Sequence, residues 1–232
     1  MRSIFAALFA CAYAAGASAQ AYPNKPIRMI VTFPAGSGAD IVARVAGQKM
    51  AETMGQSVVI DNRAGAGGVI GADLTAKAVP DGYTLVMVSS SHTINASIYR
   101  KLPYDPVKDF APVTVLAATP YLLIAHPSLP ARNIAELIAL AKSKPGQVNF
   151  ATGGIGVGSH LATELFKTMT GAQIVVVPYK GAPQATTDVV GGQVQLSFST
   201  MPTALPLVRT GKLRAIAVTT RQRAPALPEV PA

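Results

Sequence analysis

The chain has 232 residues, of which 50% are hydrophobic and 13% are charged, and its mean hydropathy is +0.34. This composition excludes a disordered tail or a charged coiled coil, and it supplies enough apolar material for one large domain or two smaller lobes. The net charge of +9 favours an anionic partner, which could be a small acid, a nucleic acid or a membrane surface.

The first 19 residues have the pattern of a secretory signal peptide. Arg2 supplies a positive charge, residues 4–15 form an almost uninterrupted apolar run, and residues 17–19 form a small-residue cleavage site. A transmembrane anchor is an alternative, but the run is shorter than the roughly 20 apolar residues of a span. A lipoprotein is another, but the residues before Cys11 fit its motif poorly. Cleavage after Ala19 predicts a periplasmic protein without cysteine chemistry.

The chain then alternates apolar runs, glycine- or serine-rich turns and helical patterns. Residues 27–33 are apolar and β-branched, residues 34–38 form a turn, and residues 40–54 carry apolar side chains at helical spacing. Further strands are predicted at 57–60, 83–88, 148–151 and 174–177, with turns at 65–68, 89–92, 153–158 and 179–181. Helices are predicted up to residue 78 and over 184–190. The alternation predicts an α/β fold with mostly parallel sheets flanked by helices.

Two lobes are predicted rather than one. Residues 102–112 are rich in proline and charge, and the chain crosses there towards the apolar run 121–125. Lobe 1 is therefore placed at 20–118 and lobe 2 at 119–220, with a helix over 134–142 and a strand over 215–219. Residues 221–232 are rich in proline and contain no predicted terminating element, so either they are a natural tail or the chain is a fragment.

The turns predict where a ligand binds. Ligands of parallel α/β sheets lie beyond the carboxyl ends of the strands, where turns lead into helix N-termini. Unpaired N–H groups and the positive end of the helix dipole favour anions there. For any single turn the alternative is that glycine serves only tight geometry. Taken together, the turns at 36–38, 65–68, 89–91 and 153–159 favour a cleft that binds a small carboxylate.

Motifs of other functions are missing from the sequence. No turn completes the dinucleotide pattern G-x-G-x-x-G, and no phosphate-binding P-loop occurs. His92, His126 and His160 have no metal-ligand spacing, so neither a metal nor a cofactor is expected. Lysine and arginine residues are scattered, which argues against nucleic-acid binding.

Three polar residues near predicted helix starts invite a role in the site. Ser159 lacks the G-x-S-x-G elbow of a hydrolase, so helix capping combined with ligand binding is expected rather than catalysis. Asp40 is interpreted as a cap or first-turn acid that also orders the ligand turn. His160 is interpreted either as a ligand contact or as a packed histidine.

Ordered motifs along the chain resemble one family. They are YPNKPIR at 22–28, PAGSGAD at 34–40, DNRAGAGG at 61–68, PDGYTL at 80–85, GSHL at 158–161, VPYKG at 177–181 and LPEVP at 227–231. In these motifs the chain resembles the Bug family, the TctC-like extracytoplasmic substrate-binding receptors of tripartite tricarboxylate transporters.

The resemblance implies a two-lobed, type II-like Venus-flytrap protein that binds a small organic acid between its lobes. It implies a monomer that is not an enzyme and that delivers the acid to membrane transport subunits. It also implies that residues 221–232 begin a return to lobe 1 whose remainder is absent. The ligand-binding residues it implies are Ala35, Gly36, Ser37, Gly38, Ala39, Asp40, Ser90, Ser91, Gly156, Gly158, Ser159, His160, Tyr179, Ser199 and Thr200.

Two other functions stay open at this point. One is an exported α/β enzyme acting on small carboxylic acids through Ser159 or His160. The other is a sensory receptor for the same ligands. The ligand class is equally open among dicarboxylates, tricarboxylates, aromatic acids and amino acids, because a grip made by backbone groups leaves little trace in the sequence.

Overall fold

The computed structural model describes residues 22–232. The expected signal peptide at 1–19, its cleavage after Ala19 and Cys11 therefore lie outside the described residues. Within residues 22–232, eight strands and seven α-helices form two lobes, each built on one sheet. In the same part of the chain, no helix combines the length and the apolar character needed to cross a membrane.

Lobe 1 follows the predicted alternation closely. It contains β1 (Ile27–Val31), α1 (Gly38–Met54), β2 (Val58–Asn62), a 3-10 turn (Ala66–Gly68), α2 (Val69–Ala76), β3 (Thr84–Met87) and α3 (Ser91–Ile98). Its sheet has the order β2-β1-β3, and both neighbours of β1 run parallel to it. All three strands therefore end at the same edge.

Lobe 2 is larger. It contains β4 (Tyr121–Ala125), α4 (Ile134–Ser143), β5 (Asn149–Thr152), α5 (Gly158–Thr170), β6 (Val175–Pro178), α6 (Ala182–Val190), β7 (Leu196–Thr200), α7 (Met201–Arg209) and β8 (Arg214–Val218). The strand order is β6-β5-β7-β4-β8; β5 runs parallel to β6 and β7, whereas β4 is antiparallel to both β7 and β8. The predicted α/β fold with mostly parallel sheets is confirmed, and α7 is a helix that the sequence did not predict.

The core of lobe 2 lies on both faces of its sheet, because successive side chains of a strand point to opposite sides. Leu122 and Ile124 of β4 belong to one buried cluster, whereas Leu123 belongs to the other, which also contains Phe150. Lobe 1 has a smaller cluster, in which Met29 and Val31 of β1 pack against α1. This packing fixes the two sheets, and the turns at their edges are held in place by them.

The start of β4 and the end of β8 lie side by side in lobe 2. The Tyr121 N–H donates to Thr219 Oγ1 at 3.0 Å, and the Thr219 N–H donates to the Tyr121 carbonyl at 3.0 Å. The segment 221–232, which the resemblance assigns to a return to lobe 1, packs here against lobe 2. Leu227 and Val230 are buried in the same cluster as Leu122, and the Val218 N–H donates to the Pro231 carbonyl at 2.8 Å.

Candidate functional site

The carboxyl ends of the parallel strands in the two lobes face each other. Thr203 Oγ1, in the first turn of α7, lies 3.5 Å from the Gly36 carbonyl in the turn after β1. A Cβ atom placed on Gly67 would lie 3.5 Å from the carbonyl oxygen of Ile155 in the turn before α5. The turns of lobe 1 thus meet the turns of lobe 2 along a cleft, as expected for ligands of α/β sheets.

Two glycines allow the lobes to approach this closely. A Cβ atom on Gly38, the first residue of α1, would lie 2.5 Å from Thr200 Oγ1. A Cβ atom on Gly181, which precedes α6, would lie 2.5 Å from Pro34 Cγ. Because real Cβ atoms do not come this close to heavy atoms, any larger residue at either position would push the lobes apart.

A cavity of about 580 Å³ lies between the lobes, within the range typical of small-molecule sites. Its lining residues are Thr32, Phe33, Pro34, Ala64, Gly65, Ala66, Gly67, Gly68 and Tyr99 from lobe 1 and Gly153, Gly154, Ile155, Val157, Pro178, Tyr179, Lys180 and Gly181 from lobe 2. Six of these residues are glycines, which expose their backbone, and Lys180 is the only charged side chain of the wall among the described residues. Ala66 has a φ of 48°, an uncommon conformation for a residue with a side chain.

The helices of lobe 2 that begin at the cleft lack side-chain caps. The N-cap residues of α5, α6 and α7 are Val157, Gly181 and Thr200, and none forms a side-chain cap hydrogen bond. Helix α4 is different: it follows the antiparallel strand β4, begins at the opposite edge and is capped by Asn133, whose Oδ1 accepts from the Glu136 N–H at 2.9 Å. Lobe 2 therefore presents three positive helix ends to the cleft, an arrangement that favours an anion.

Asp40 holds the turn after β1 in place. Its Oδ2 accepts hydrogen bonds from the Gly36 N–H and from Arg44 Nε, both at 2.9 Å, and its Oδ1 accepts from Asn62 Nδ2 at 2.9 Å. The Asp40 N–H in turn donates to Ser37 Oγ at 3.3 Å, so Ser37 is the N-cap of α1. These contacts agree with the interpretation of Asp40 as a first-turn acid that orders the turn.

Asp40 is 2% exposed, and its surroundings keep it charged. Burial alone would raise the pKa of its carboxyl group, but the hydrogen bonds from Arg44, the Gly36 N–H and Asn62 lower this pKa below its ordinary value of 3.8. The carboxylate is thus satisfied within lobe 1, and its negative charge is not directed at the cavity.

Ser159 plays a similar part in lobe 2. Its Oγ accepts a hydrogen bond from the Gly153 N–H at 3.1 Å, and the side chain is buried. The expectation that Ser159 caps α5 is wrong, because Val157 occupies the N-cap position and Ser159 lies inside the helix. The serine closes the turn 153–158 instead. The neighbouring His160 is half-buried, and its Nδ1 atom has no hydrogen-bond partner among the described residues.

The other predicted site residues lie around the cleft in different roles. Tyr179 lines the cavity, but its hydroxyl donates to Asp188 Oδ2 at 2.7 Å; burial and this bond raise the pKa of Tyr179 to about 12. Ser199 is buried, and its Oγ atom has no hydrogen-bond partner within residues 22–232, whereas Thr200 faces Gly38. Ser91 lies in lobe 1, and a Cβ atom on Gly68 would be 3.6 Å from its Oγ.

The structure therefore brings the predicted turns to one cleft, and the turns at 65–68 and 153–159 supply much of the cavity wall, although most of the individually predicted ligand-binding residues do not line it. Of the predicted ligand-binding residues, Tyr179 lines the cavity, whereas Ala35, Gly36, Ser37, Gly38, Ala39, Asp40, Ser90, Ser91, Gly156, Gly158, Ser159, His160, Ser199 and Thr200 do not. Thr32, Tyr99 and Lys180 were not predicted. For Lys180 the sequence did contain an indication, because it is a cation in the predicted turn 179–181, which also contains a glycine.

No group of three or more His, Cys, Asp or Glu residues that could hold a metal ion is found among residues 22–232. This finding concerns the described part of the chain alone.

Comparison with known proteins gives one family. Residues 42–232 match the family described as "Tripartite tricarboxylate transporter family receptor". The chain is 44% identical over 220 residues to Protein BugT of Bordetella pertussis, covering 94% of this chain and 68% of that protein. It is 38% identical over 211 residues to a UPF0065 protein of Pseudomonas sp. strain P51, covering 91% of this chain and 63% of that protein. The chain thus spans about two thirds of the length of these relatives.

Solved structures give the same result. Rpa4515 of R. palustris with adipate has a TM-score of 0.88 and 40% sequence identity, covering 91% of this chain and 71% of that chain. MatC (Rpa3494) of Rhodopseudomonas palustris with bound malate has a TM-score of 0.84 and 33% identity, covering 91% and 72%. The periplasmic binding protein BugD has a TM-score of 0.83 and 34% identity, covering 91% and 71%.

Proposed function

The chain belongs to the tripartite tricarboxylate transporter receptors, the TctC-like Bug family, and from this membership we propose that it is a monomeric periplasmic receptor for a small organic acid. The acid is captured in the cleft between the lobes and passed to membrane transport subunits. The membership confirms the family resemblance of the sequence motifs. Capture and delivery are proposed here for this chain.

The observation that carries the proposal is the chemistry of the cleft edge in lobe 2. Three helices begin there without side-chain caps, and the N-cap residues of two of them, Val157 and Gly181, line the cavity. Among the described residues, the cavity wall contains a lysine and no acidic residue. The uncapped helix ends supply backbone N–H donors and partial positive charge, which together satisfy a carboxylate without a dedicated side chain. The two solved relatives that hold adipate and malate support an acid as the ligand.

Ligand-driven closure follows from the position of the cavity. Its wall is shared between Ala64–Gly68 of lobe 1 and the turns at 153–157 and 178–181 of lobe 2. An acid that contacts both walls binds more tightly when the lobes are together, so it stabilises this arrangement by the difference in affinity. The membrane subunits would then recognise the closed receptor.

Binding without turnover is part of the proposal. The enzyme alternative acts through Ser159 or His160, and Ser159 is its candidate nucleophile. Its Oγ accepts a hydrogen bond from the Gly153 N–H, and the side chain is buried in the first turn of α5. This geometry orders a turn, whereas a nucleophilic serine donates its proton to a base.

The test is a thermal-shift and calorimetric screen of the purified protein against adipate, malate, citrate, benzoate and glutamate. An acid present at 100 times its dissociation constant should stabilise the protein by about 2.7 kcal/mol. The same acid should be recovered chemically unchanged after prolonged incubation. A cooperative melt that no acid shifts would overturn carboxylate capture, and loss of the added acid would favour the enzyme.

A further inference from the structure

The cavity wall contains one cation, Lys180, for which the described part of the chain provides no salt-bridge partner. Lys180 lies in the turn between β6 and α6, its side chain is exposed, and it lines the cavity. Among residues 22–232 it takes part in no salt bridge. The rest of the wall consists of backbone, hydroxyl, aromatic and aliphatic groups. Its ammonium group is therefore free to meet a ligand charge.

The backbone of Lys180 is held firmly on both sides. The residue before it, Tyr179, donates a hydrogen bond from its hydroxyl to Asp188 Oδ2 at 2.7 Å. Gly181, which follows it, packs so closely against Pro34 of lobe 1 that a Cβ atom there would lie 2.5 Å from Pro34 Cγ. The stem of Lys180 thus starts from a fixed point beside the contact between the lobes, and its flexible carbon chain can bring the charge to the cavity that the residue lines.

Three arginines of lobe 1 form salt bridges with carboxylates. Arg44 Nε is 2.9 Å from Asp40 Oδ2, and Arg63 Nε is 2.9 Å from Asp61 Oδ1. Arg28 pairs with the same Asp61 carboxylate. Neither Arg44, Arg63 nor Arg28 lines the cavity between the lobes. Among the described residues, Lys180 is therefore the cation of the cavity wall that a second negative charge on a bound acid can meet.

An acid with one carboxylate and one with two place different demands on this cavity. The uncapped helix ends and the glycine-rich turns can satisfy one carboxylate with backbone N–H groups. A second carboxylate beside Tyr99 and Ile155 would face a tyrosine whose hydroxyl already donates to the Ala66 carbonyl at 3.2 Å, and an aliphatic side chain, so neither side chain offers it a hydrogen-bond donor. The Lys180 ammonium can instead supply a charge-assisted hydrogen bond.

We propose that Lys180 is the residue that makes this receptor select dicarboxylic acids over monocarboxylic acids of the same length. The inference rests on the proposed function and refines it. The first carboxylate is held by backbone groups, the carbon chain lies along Tyr99 and Ile155, and the second carboxylate pairs with the Lys180 ammonium.

The experiment compares matched acids on matched variants. Calorimetry measures the affinities of four diacids, which are succinate, glutarate, adipate and pimelate. It also measures those of the monoacids of the same lengths, which are butyrate, valerate, hexanoate and heptanoate. The proteins compared are the wild type, Lys180→Gln, Lys180→Arg and Lys212→Gln. Lys212 is an exposed lysine beyond the C-terminal end of α7, the end away from the cleft, so its variant removes the same charge elsewhere. All variants are first checked for a wild-type melting temperature.

The wild type and Lys212→Gln should bind one diacid more tightly than the monoacid of the same length. Lys180→Gln should weaken that diacid roughly tenfold and leave the monoacid unchanged, whereas Lys180→Arg should keep the preference. An equal loss for both acids, or no loss, would overturn the role of Lys180. Binding of monoacids, citrate or benzoate without any diacid would overturn the inference alone. A protein that binds no acid would overturn the proposed function itself.

Discussion

Substituting Gly38 by alanine separates the stability of lobe 1 from closure of the cleft. Gly38 is the first residue of α1, and alanine is a better helix former than glycine. The same methyl group would lie 2.5 Å from Thr200 Oγ1, 3.0 Å from Thr200 Cβ and 3.2 Å from Thr200 Cγ2. Rotating the Thr200 side chain cannot relieve all three contacts, because the Cβ atom does not move in that rotation. The lobes must therefore separate.

The size of the effect follows from the cost of overpacking. Inserting one methyl group into a tight contact typically costs about 1–3 kcal/mol. Because this cost falls on the closed arrangement alone, it reduces the closed population, and with it the ligand affinity, by roughly 5- to 150-fold. The melting temperature of the ligand-free protein should stay the same or rise slightly, since Gly-to-Ala exchange in a helix is favourable by up to about 1 kcal/mol.

The assay is calorimetric titration of the best acid from the screen, together with thermal melts of the ligand-free variants. The double variant Gly38→Ala with Thr200→Gly removes the clashing side chain and should recover most of the affinity. Glycine is tolerated at an N-cap position, and Thr200 makes no cap bond that would be lost. Wild-type affinity in Gly38→Ala would refute the close contact, and a double variant as weak as the single one would refute its cause.

Three further substitutions test the groups that hold the turns. Asp40→Asn should lower the free energy of unfolding, measured by urea melts, by about 1–3 kcal/mol at pH 7. The folded pKa of Asp40 lies below 3.8, so the difference between the two proteins should persist above pH 3.8 and disappear as the pH falls through the folded pKa. Ser159→Ala should lower the free energy of unfolding by about 1–3 kcal/mol and weaken acid binding, because the Gly153 N–H loses its hydrogen-bond acceptor. An unchanged free energy of unfolding together with an unchanged affinity would contradict the proposal that Ser159 orders the turn 153–158. Tyr179→Phe should lower the free energy of unfolding by about 1 kcal/mol. This loss should be constant from neutral pH to pH 10, because the phenol ionises only near 12 in the folded protein. A loss that disappears below pH 10 would show that the hydroxyl is not hydrogen bonded to Asp188.

The strand, turn and helix units could be predicted because their signals are local. The apolar run before Val31 and the helical spacing over α1 report burial of neighbouring residues in the chain. Helix α7 was missed because Pro202 and Pro206 suggest a break. Pro202 lies in the first turn, where its missing N–H costs nothing. Burial of Met201 and Ala204 in the lobe 2 core outweighs the second proline.

The direction of β4 and the wall of the cavity could not be predicted in the same way. Strand direction depends on how the connections cross the sheet, and β4 has no local feature that distinguishes it from β5. The cavity wall depends on the approach of two lobes, so Tyr99 and Lys180 come together from distant parts of the sequence. Ser159 was misread as a cap because helix α5 begins directly after Val157, so Ser159 is already its second residue.

The paired ends of lobe 2 have a consequence for how such receptors diversify. Tyr121 and Thr219 are hydrogen bonded to each other, and Val218 beside Thr219 is hydrogen bonded to Pro231. The chain from Tyr121 to Pro231, which includes the core residues Leu227 and Val230, therefore begins and ends at one place. Segments with adjacent ends can be transplanted between homologues without spanning a gap. One wall of the cleft can thus be exchanged as a unit while the other wall is retained.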